Sequence, residues 1–238
     1  SFGSSGTGSW AEYTTSSVYF VIDEDVPVSS AASGVVNPLT VLGFLHTYRK
    51  NKHTGIIHTA AASALGRQLS RICRTENIPL LNIVRRKEQA DILKEEGAEH
   101  VVVTDGDWFP TYAELVKKLK VNALFDALGG GEVTQKLIEG LELPATVYVY
   151  GMLTNQPLVV PSAGMFLGGL KLEGFMVLPA WWSSVSKEEK QAIADNYSKY
   201  LKGDLKTKTF NEFTFKDIRE ALEASNTKAT EGKVLLRP

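Results

Sequence analysis

The segment Gly55-Ile56-Ile57-His58-Thr59-Ala60-Ala61-Ala62-Ser63-Ala64-Leu65-Gly66 decides the fold. Residues 55–59 predict a short buried strand, and residues 60–66 predict a turn of small side chains that leads into a helix over 64–76. The apolar residues of that helix recur at positions i, i+4, i+7 and i+8, the spacing of one packed face. These residues are Leu65, Leu69, Ile72 and Cys73. A strand, a tight turn and an amphipathic helix in this order are typical of a unit with parallel strands.

A second apolar run, residues 79–84, ends at Arg85 and Arg86. In a strand–helix–strand unit that binds a dinucleotide, the residue that reads the ribose follows the turn by about 20 positions. An acid there accepts from a free 2′-hydroxyl, whereas an arginine binds a 2′-phosphate. Arg85 follows Gly66 by 19 positions, 85 minus 66. The spacing therefore predicts NADPH as the cofactor.

Each half of this pattern also has a simpler explanation. Small residues stand at the three fingerprint positions, Ala60, Ser63 and Gly66, and only the last is glycine. They allow backbone N–H groups to approach a pyrophosphate, but they also let any helix pack closely on a strand. Two arginines at the end of a strand can be a solvated edge. The turn and the arginines at the expected separation together favour nucleotide binding.

The alternation of strands and helices continues along the chain. A helix begins within 35–40, where Pro38 is tolerated in the first turn. Further strands are predicted over 80–84, 100–104, 122–127 and 145–150, and further helices over 87–96, 111–119 and 132–142. Alternation of this kind implies a parallel sheet covered on both faces. We predict an α/β fold, a Rossmann-like doubly wound parallel sheet.

The two chain ends carry the remaining predicted elements. Two short strands are predicted over 10–13 and 18–22, and a last strand of the sheet near 171–177. Helices over 187–202 and 216–224 and a strand over 232–236 complete the chain. Residues 1–9 are rich in Gly and Ser and do not begin with Met, and we expect the chain to be a fragment of a longer protein.

Composition excludes several classes of function. The net charge is −1, so there is no basic excess for nucleic acid or an anionic membrane. No apolar run reaches the roughly 18 residues of a membrane span. Cys73 is the only cysteine, which excludes an internal disulfide and a cysteine-based zinc site. The histidines show no metal-ligand spacing, and we expect no metal. A reducing intracellular compartment fits, with cytoplasm and mitochondrial matrix not distinguished.

Two loops follow predicted strands where open α/β sheets bind their ligands. Gly129-Gly130-Gly131 follows the strand 122–127, although glycines also serve a tight connection. Tyr148 and Tyr150 end the strand 145–150, and either ring could simply fill the core.

Three further features have simple interpretations or stay open. His58 is interpreted as a hydrogen-bonded core residue. The spacing of Tyr48 and Lys52 matches a proton-transfer pair of short-chain reductases, but this pair precedes the nucleotide turn and is interpreted as chance. The aromatic stretch around Trp181-Trp182 could line a substrate pocket or a subunit interface.

Several segments together resemble the medium-chain dehydrogenase/reductase superfamily, in its zinc-independent NADPH:quinone oxidoreductase and enoyl-thioester reductase branches. They occur in the family's order and cover essentially the whole chain. The segments are Gly8-Ser9-Trp10-Ala11-Glu12-Tyr13, Asn37-Pro38-Leu39-Thr40, the stretch from His58 to Gly66, Asn82-Ile83-Val84-Arg85-Arg86, Phe125-Asp126-Ala127-Leu128-Gly129-Gly130 and Glu231-Gly232-Lys233-Val234.

The resemblance implies a role for each cofactor-binding residue. Thr40 would lie near the nicotinamide. The pyrophosphate would lie along Ala61, Ala62, Ser63, Ala64 and Leu65, and Arg85 and Arg86 would hold the 2′-phosphate. Gly129, Tyr150, Gly151 and Met152 would edge the nicotinamide side of the cleft. Phe175 and Met176 would lie where hydride leaves, and Lys233 would reach the cofactor from the C-terminal segment. Val35, Val36 and Asn37 occupy the stretch where zinc-dependent relatives carry a metal ligand.

The resemblance also implies that much of the protein precedes Ser1. Family members carry roughly a hundred more N-terminal residues, which form most of a GroES-like catalytic domain, so no catalytic residue is assigned here. Residues 1–33 would be a remnant of that domain and 34–180 the NADP-binding Rossmann domain. Residues 181–238 would complete the Rossmann domain and return to the catalytic one.

Two functions remain open. The first is an NADPH-dependent oxidoreductase that transfers hydride to a quinone or an activated enone. The second is a non-catalytic NADPH-binding or structural module, or a subunit of a larger assembly. The apolar segment Leu170–Leu178 is an expected edge strand, and the family expectation is a homodimer joined through it.

Overall fold

The computed structural model describes residues 11–13, 15, 19–228 and 230–237. These residues form two compact units. The sheet unit comprises Val36–Ser184, and the terminal unit comprises the described residues within Ser1–Val35 and Val185–Pro238.

The sheet unit is built on six parallel strands in the order β3-β2-β1-β4-β5-β6. The strands are β1 Ile56–His58, β2 Leu80–Val84, β3 Val101–Val103, β4 Ala123–Asp126, β5 Thr146–Val149 and β6 Lys171–Gly174. The chain starts in the middle of the sheet, builds outward to β3, and then crosses back to build from β4 to β6. This is the strand order of a dinucleotide-binding Rossmann fold. The predicted fold class is confirmed.

Helices connect the strands of this unit. They are α2 Val36–Lys50, α3 Ala64–Thr75, α4 Lys87–Glu95, α5 Phe109–Leu119, α6 Gly131–Glu139 and α7 Ser162–Leu167. A π-helical turn, Val177–Trp181, is interrupted by extended backbone at Leu178 and runs into the short helix α8, Trp182–Ser184. Tyr112 of α5 is fully buried against this sheet, with its hydroxyl donating to the carbonyl oxygen of Leu137 in α6 at 2.7 Å. That bond joins two helices over one shared core.

The terminal unit contains the helices α1 Val28–Ala32, α9 Lys187–Asp195, α10 Tyr197–Lys202 and α11 Ile218–Thr227. A single 3₁₀ turn, Phe215–Asp217, precedes α11, and the strands β7 Thr209–Thr214 and β8 Lys233–Arg237 pair in parallel. Tyr197 is buried and donates its hydroxyl to the Gly34 carbonyl oxygen. Lys202 forms ion pairs with Asp23 at 3.2 Å and Asp25 at 2.8 Å. Contacts between both chain ends therefore hold this unit together.

Two strand predictions near the N-terminus are wrong in the described residues. Residues 11–13 form bends and residues 19–22 form no strand, while Trp10 and Val18 lie outside the described residues. Phe20 instead stacks on the ring of Tyr197, with centroids 4.2 Å apart. A β-rich sequence without a neighbouring strand to pair with does not form a ladder.

Other boundaries differ for local reasons. The last strand of the sheet ends at Gly174, three residues before the predicted end at 177, because helical turns begin at Val177. The predicted helix 187–202 is two helices, since the Asn196 side chain donates to the carbonyl oxygen of Ala192 at 2.9 Å and ends the first. Among the described residues, none of the helices has the length and apolar character needed to cross a bilayer.

Candidate functional site

The turn after β1 presents the start of helix α3 at the carboxyl edge of the sheet. The amide of Ala61 donates to Ile83 at 3.2 Å and that of Ser63 to Ala60 at 2.9 Å, which ties the turn to β2 and to itself. Ser63 is the N-cap residue, and its hydroxyl accepts from the Gly66 amide at 3.2 Å. The amides of Ala64 and Leu65, which precede Gly66 in the first turn, have no acceptor within the helix. They lie where a pyrophosphate would need donors.

Glycine at position 66 is required by close packing. A Cβ there would overlap the carbonyl group of Ala61, because helix α3 crosses directly over the turn. Ala60 has a φ of 52°, in the left-handed region that favours glycine. Gly66, at the last fingerprint position, is therefore needed for close packing. Ala60, at the first position, adopts the left-handed conformation of the turn although it is not a glycine.

Arg85 and Arg86 lie exposed just after β2, beside this turn in the strand order. Their backbone amides both donate to the Oε1 atom of Gln89, at 3.1 and 3.2 Å, which fixes the entry into helix α4. Within the described part of the chain, neither guanidinium forms an ion pair, whereas the neighbouring Lys87 pairs with Asp91 at 3.3 Å. Two cationic groups are therefore available to an external anion.

Asp126 organises the centre of this edge, a role that the sequence reasoning missed. Its fully buried carboxylate accepts from the Thr59 hydroxyl at 2.8 Å, the Gly129 amide at 2.8 Å and the Thr134 hydroxyl at 3.2 Å. It also accepts from the Leu128 amide at 3.1 Å. One side chain thus joins the end of β1, the loop after β4 and helix α6. An acid three residues before a run of glycines was the available signal.

The loops after β4 and β5 touch through their backbones. A Cβ at Gly129 would overlap the carbonyl oxygen of Gly151, and a Cβ at Gly151 would lie 2.7 Å from the carbonyl oxygen of Ala127. Gly129 has a φ of 75°, in the left-handed region. Gly129 and Gly151 are therefore needed for these two loops to approach each other.

The half-buried Tyr150 and the fully buried His58 form a pair where β5 and β1 end. Tyr150 Oη and His58 Nε2 are 2.8 Å apart, and the two rings stack at 5.7 Å between centroids. Burial lowers the pKa of His58 to about 3, so the imidazole is neutral at physiological pH. Burial raises the pKa of Tyr150, and the negative charge of Asp126 raises it further. The phenol therefore keeps its proton. The interpretation of His58 as a hydrogen-bonded core residue is confirmed.

Thr40 and Phe175 lie in packed surroundings. Thr40 is buried in helix α2 and donates its hydroxyl to the Val36 carbonyl oxygen at 2.7 Å. The Phe175 ring meets Phe44 edge to face at 4.9 Å between centroids and lies where a Cβ on Gly43 would be only 2.7 Å from it. Their side chains are held by core contacts.

The topology brings most of the predicted cofactor residues to one edge of the sheet. The stretch from Ala61 to Leu65, the two arginines, Gly129, the stretch from Tyr150 to Met152 and Phe175 all follow the carboxyl ends of adjacent strands. Met152 is exposed there. Thr40 comes from helix α2 of the same unit, and Lys233 lies in the terminal unit. Over the described residues, His, Cys, Asp and Glu form no cluster of three able to hold a metal.

Comparison with known proteins gives relatives across nearly the whole chain. No protein-family model matches. The chain is 26% identical over 247 residues to the mitochondrial enoyl-[acyl-carrier-protein] reductase of Xenopus tropicalis, covering 97% of this chain and 69% of the relative. It spans between 61% and 69% of the length of five such reductases from vertebrates.

Solved structures share the fold. A candidate NADPH:quinone reductase from Mesorhizobium loti superposes with a TM-score of 0.82 at 24% identity, covering 91% of this chain and 62% of that one. The complex of Etr1p with NADP and crotonyl-CoA superposes with a TM-score of 0.72 at 22% identity, covering 89% and 62%. Together with the ordered motifs of the sequence, these similarities confirm the resemblance to the medium-chain dehydrogenase/reductase superfamily, in its enoyl-thioester reductase branch.

Proposed function

We propose that this chain is the NADPH-binding part of an oxidoreductase that delivers hydride to an enoyl thioester or a quinone. The observation that carries the proposal is the arginine pair, exposed and without an ion pair among the described residues, next to the start of helix α3. A nearby acid would favour a free ribose hydroxyl, and two guanidiniums favour a phosphate.

The residues present fit NADPH along its length. Arg85 and Arg86 would bind the 2′-phosphate, and the amides of Ala62, Ala64 and Leu65 would donate to the pyrophosphate at the positive end of the helix dipole. The nicotinamide end would lie against the loops after β4 and β5, which Gly129 and Gly151 allow to approach each other closely. NADPH bound in this way supplies the hydride.

The chain's own contribution is orientation. Asp126 holds the loop after β4 through buried hydrogen bonds, and the Tyr150–His58 pair holds the start of the loop after β5. Two fixed loops present a constant surface to a bound nicotinamide, and holding reactants in one geometry lowers the entropic part of the barrier. Neither group of the pair carries charge at neutral pH, since burial lowers the pKa of His58 to about 3 and raises that of Tyr150.

An enoyl thioester is the substrate class that we propose first. The relative from Xenopus tropicalis is an enoyl-[acyl-carrier-protein] reductase, and Etr1p was solved with crotonyl-CoA. A quinone is the second class, supported by the Mesorhizobium loti protein.

Calorimetric titration with NADPH and NADH tests the cofactor. We expect NADPH to bind more tightly than NADH, and Arg85→Ala/Arg86→Ala to weaken NADPH by about 10- to 100-fold with little change for NADH. Lys87→Gln is the matched control, because it removes a neighbouring cation that already pairs with Asp91. Equal affinity of the double variant and the parent for NADPH would contradict the proposal.

NADPH oxidation, measured with this chain and with any longer protein that contains it, tests the activity. Oxidation with crotonyl-CoA would support the enoyl-thioester reductase, and oxidation only with a quinone would support the second class. Tight NADPH binding without oxidation by either substrate would instead support the non-catalytic module.

A further inference from the structure

The switch point of the sheet lies between β1 and β4. The chain builds outward from β1 to β3 and from β4 to β6, and β1 and β4 are parallel neighbours. Open α/β sheets bind their ligands at such a point. The turn after β1 contains the residues expected at the pyrophosphate, and the loop after β4 contains Gly129, expected at the nicotinamide. A cofactor bound here would contact both segments.

The Thr59 hydroxyl joins these two segments. Thr59 directly follows β1, precedes the turn at Ala60 and is fully buried. Its Oγ1 atom donates to Oδ1 of Asp126 at 2.8 Å and accepts from the Ala127 amide at 2.7 Å. Its own amide donates to the carbonyl oxygen of Phe125 at 3.2 Å. The hydroxyl thus connects the start of the turn to the start of the loop.

Asp126 extends this contact along the loop. Its Oδ1 atom, which bonds Thr59, also accepts from the Leu128 amide at 3.1 Å, and its Oδ2 atom accepts from the Gly129 amide at 2.8 Å. The three successive amides of residues 127–129 therefore bond either Thr59 or the carboxylate that Thr59 holds. Removal of the hydroxyl would take the acceptor from the buried Ala127 amide and one donor from the carboxylate. The loop expected at the nicotinamide would then lose its bond to the turn.

Thr134 is the natural comparison for Thr59. It is also fully buried and donates its hydroxyl to Asp126, at 3.2 Å from Oδ2. It lies within helix α6 and belongs to neither the turn nor the loop. Removal of the Thr134 hydroxyl would weaken the support of the same carboxylate, but it would leave the bond between the two segments in place.

We propose that Thr59 is a positioning residue that holds the nicotinamide half of the cofactor site in register with the pyrophosphate half. This proposal rests on the NADPH binding proposed above. A ligand that spans both segments gains affinity when they are already fixed relative to each other, because binding then orders fewer groups. A ligand that contacts only the turn and the arginines gains nothing from the bond between Thr59 and Asp126. Thr59 therefore acts on one end of the cofactor and not on the other.

Calorimetric titration of the full chain with two ligands tests this role. NADPH spans both segments, whereas adenosine 2′,5′-bisphosphate carries the 2′-phosphate and one phosphate of the pyrophosphate but no nicotinamide. We expect Thr59→Val, which keeps the shape and removes the hydroxyl, to weaken NADPH at least about tenfold and the bisphosphate by less than about twofold. Thr59→Ser keeps the hydroxyl and should bind NADPH within about twofold of the parent chain.

Thr134→Val is the matched control, and it should leave the ratio of the two affinities unchanged. If Thr59→Val does not fold, Thr59→Ala removes the same hydroxyl without a branched side chain. Equal weakening of both ligands by the hydroxyl-free variant, failure of Thr59→Ser to restore NADPH binding, or an equal change of the ratio in Thr134→Val would overturn the proposal. Equal binding of both ligands by the parent chain would overturn it as well, with the adenosine end of the site intact. Binding of neither ligand by the parent chain would overturn the proposed function itself.

Discussion

At the scale of single residues, the Asp126 carboxylate is the strongest organiser of the candidate site. It accepts hydrogen bonds from the end of β1, from the loop after β4 and from helix α6. In Asp126→Asn, the new side-chain NH₂ group would face N–H and O–H donors that now bond the carboxylate. These buried donors would lose their acceptor, which lowers the stability of the folded state. We expect the free energy of unfolding to fall by about 2–3 kcal/mol, measured by urea denaturation. Asp91→Asn, which alters an exposed pair with Lys87, should change it by less than about 0.5 kcal/mol.

His58 should make stability depend on pH. Burial lowers its pKa from 6.5 in the unfolded chain to about 3 in the folded one. The unfolded state therefore binds more protons between these values, and stability is lost as pH falls through this window. We expect the free energy of unfolding to fall by up to about 1.4 kcal/mol per pH unit below pH 6.5 from this residue.

The variant His58→Gln isolates that effect. Glutamine can still bond the Tyr150 hydroxyl but does not titrate, so the variant should lose stability less steeply in acid. Burial also lowers the pKa of His53, which stays in both proteins, so the difference between the two curves reports on His58. Parallel curves from about pH 7 to about pH 4 would show that His58 is not buried as described.

The residues that could be predicted from sequence are those with a positional signal. Gly66 and the arginines stand at a fixed spacing after a buried strand, and that spacing is a property of the turn and helix. Asp126 bonds Thr59, which is distant in the sequence. Gln89 bonds the backbone of Arg85, four residues before it at the start of helix α4. No periodicity marks such partners, so their roles required the structure.

At the scale of elements, most of the alternating strands and helices of the sheet unit were predictable because the central strands are buried, largely apolar runs. All residues of β1, β2 and β4 are buried. The strand β7, Thr209–Thr214, was not predicted, since its sequence is polar and its residues are exposed or half-buried. An element without a buried face has no hydrophobic pattern to detect.

The edge strand β6 leads to a prediction about assembly. Its residues are all exposed, and within the described part of the chain its one neighbour in the sheet is β5. The amides of Lys171 and Phe175 donate to β5, so by alternation those of Leu172 and Gly174 face the free edge. We expect two copies to join through this edge and light scattering to report a dimer. Leu172→Lys should give a monomer, because a lysine on an edge strand opposes pairing.

A matched substitution separates edge pairing from a general loss of apolar surface. Leu153 is 71% exposed in the loop after β5, and Leu153→Lys should leave the dimer intact. A monomer for the parent chain at micromolar concentration, or a dimer for both variants, would show that β6 is not the contact.

At the scale of the whole molecule, the sheet unit contains nearly all residues predicted to contact the cofactor. All of them lie within Val36–Ser184 except Lys233, at the start of β8 in the terminal unit. The sheet unit has its own buried core, and we expect residues 36–184 to fold alone. This fragment should bind NADPH up to about tenfold more weakly than the full chain, because it lacks the predicted contact of Lys233 with the cofactor.

Lys233→Ala in the full chain should reproduce the loss seen in the fragment. Lys228→Ala is the control, because Lys228 lies in the same segment and pairs with Glu231 at 2.8 Å. Calorimetry on the full chain, the fragment and the two variants then distinguishes two arrangements. If Lys233→Ala weakens NADPH binding as much as removal of the terminal unit, a single lysine carries that unit's share of the site. If the fragment binds more weakly than Lys233→Ala, further groups of the terminal unit contact the cofactor, and the one-lysine assignment is wrong.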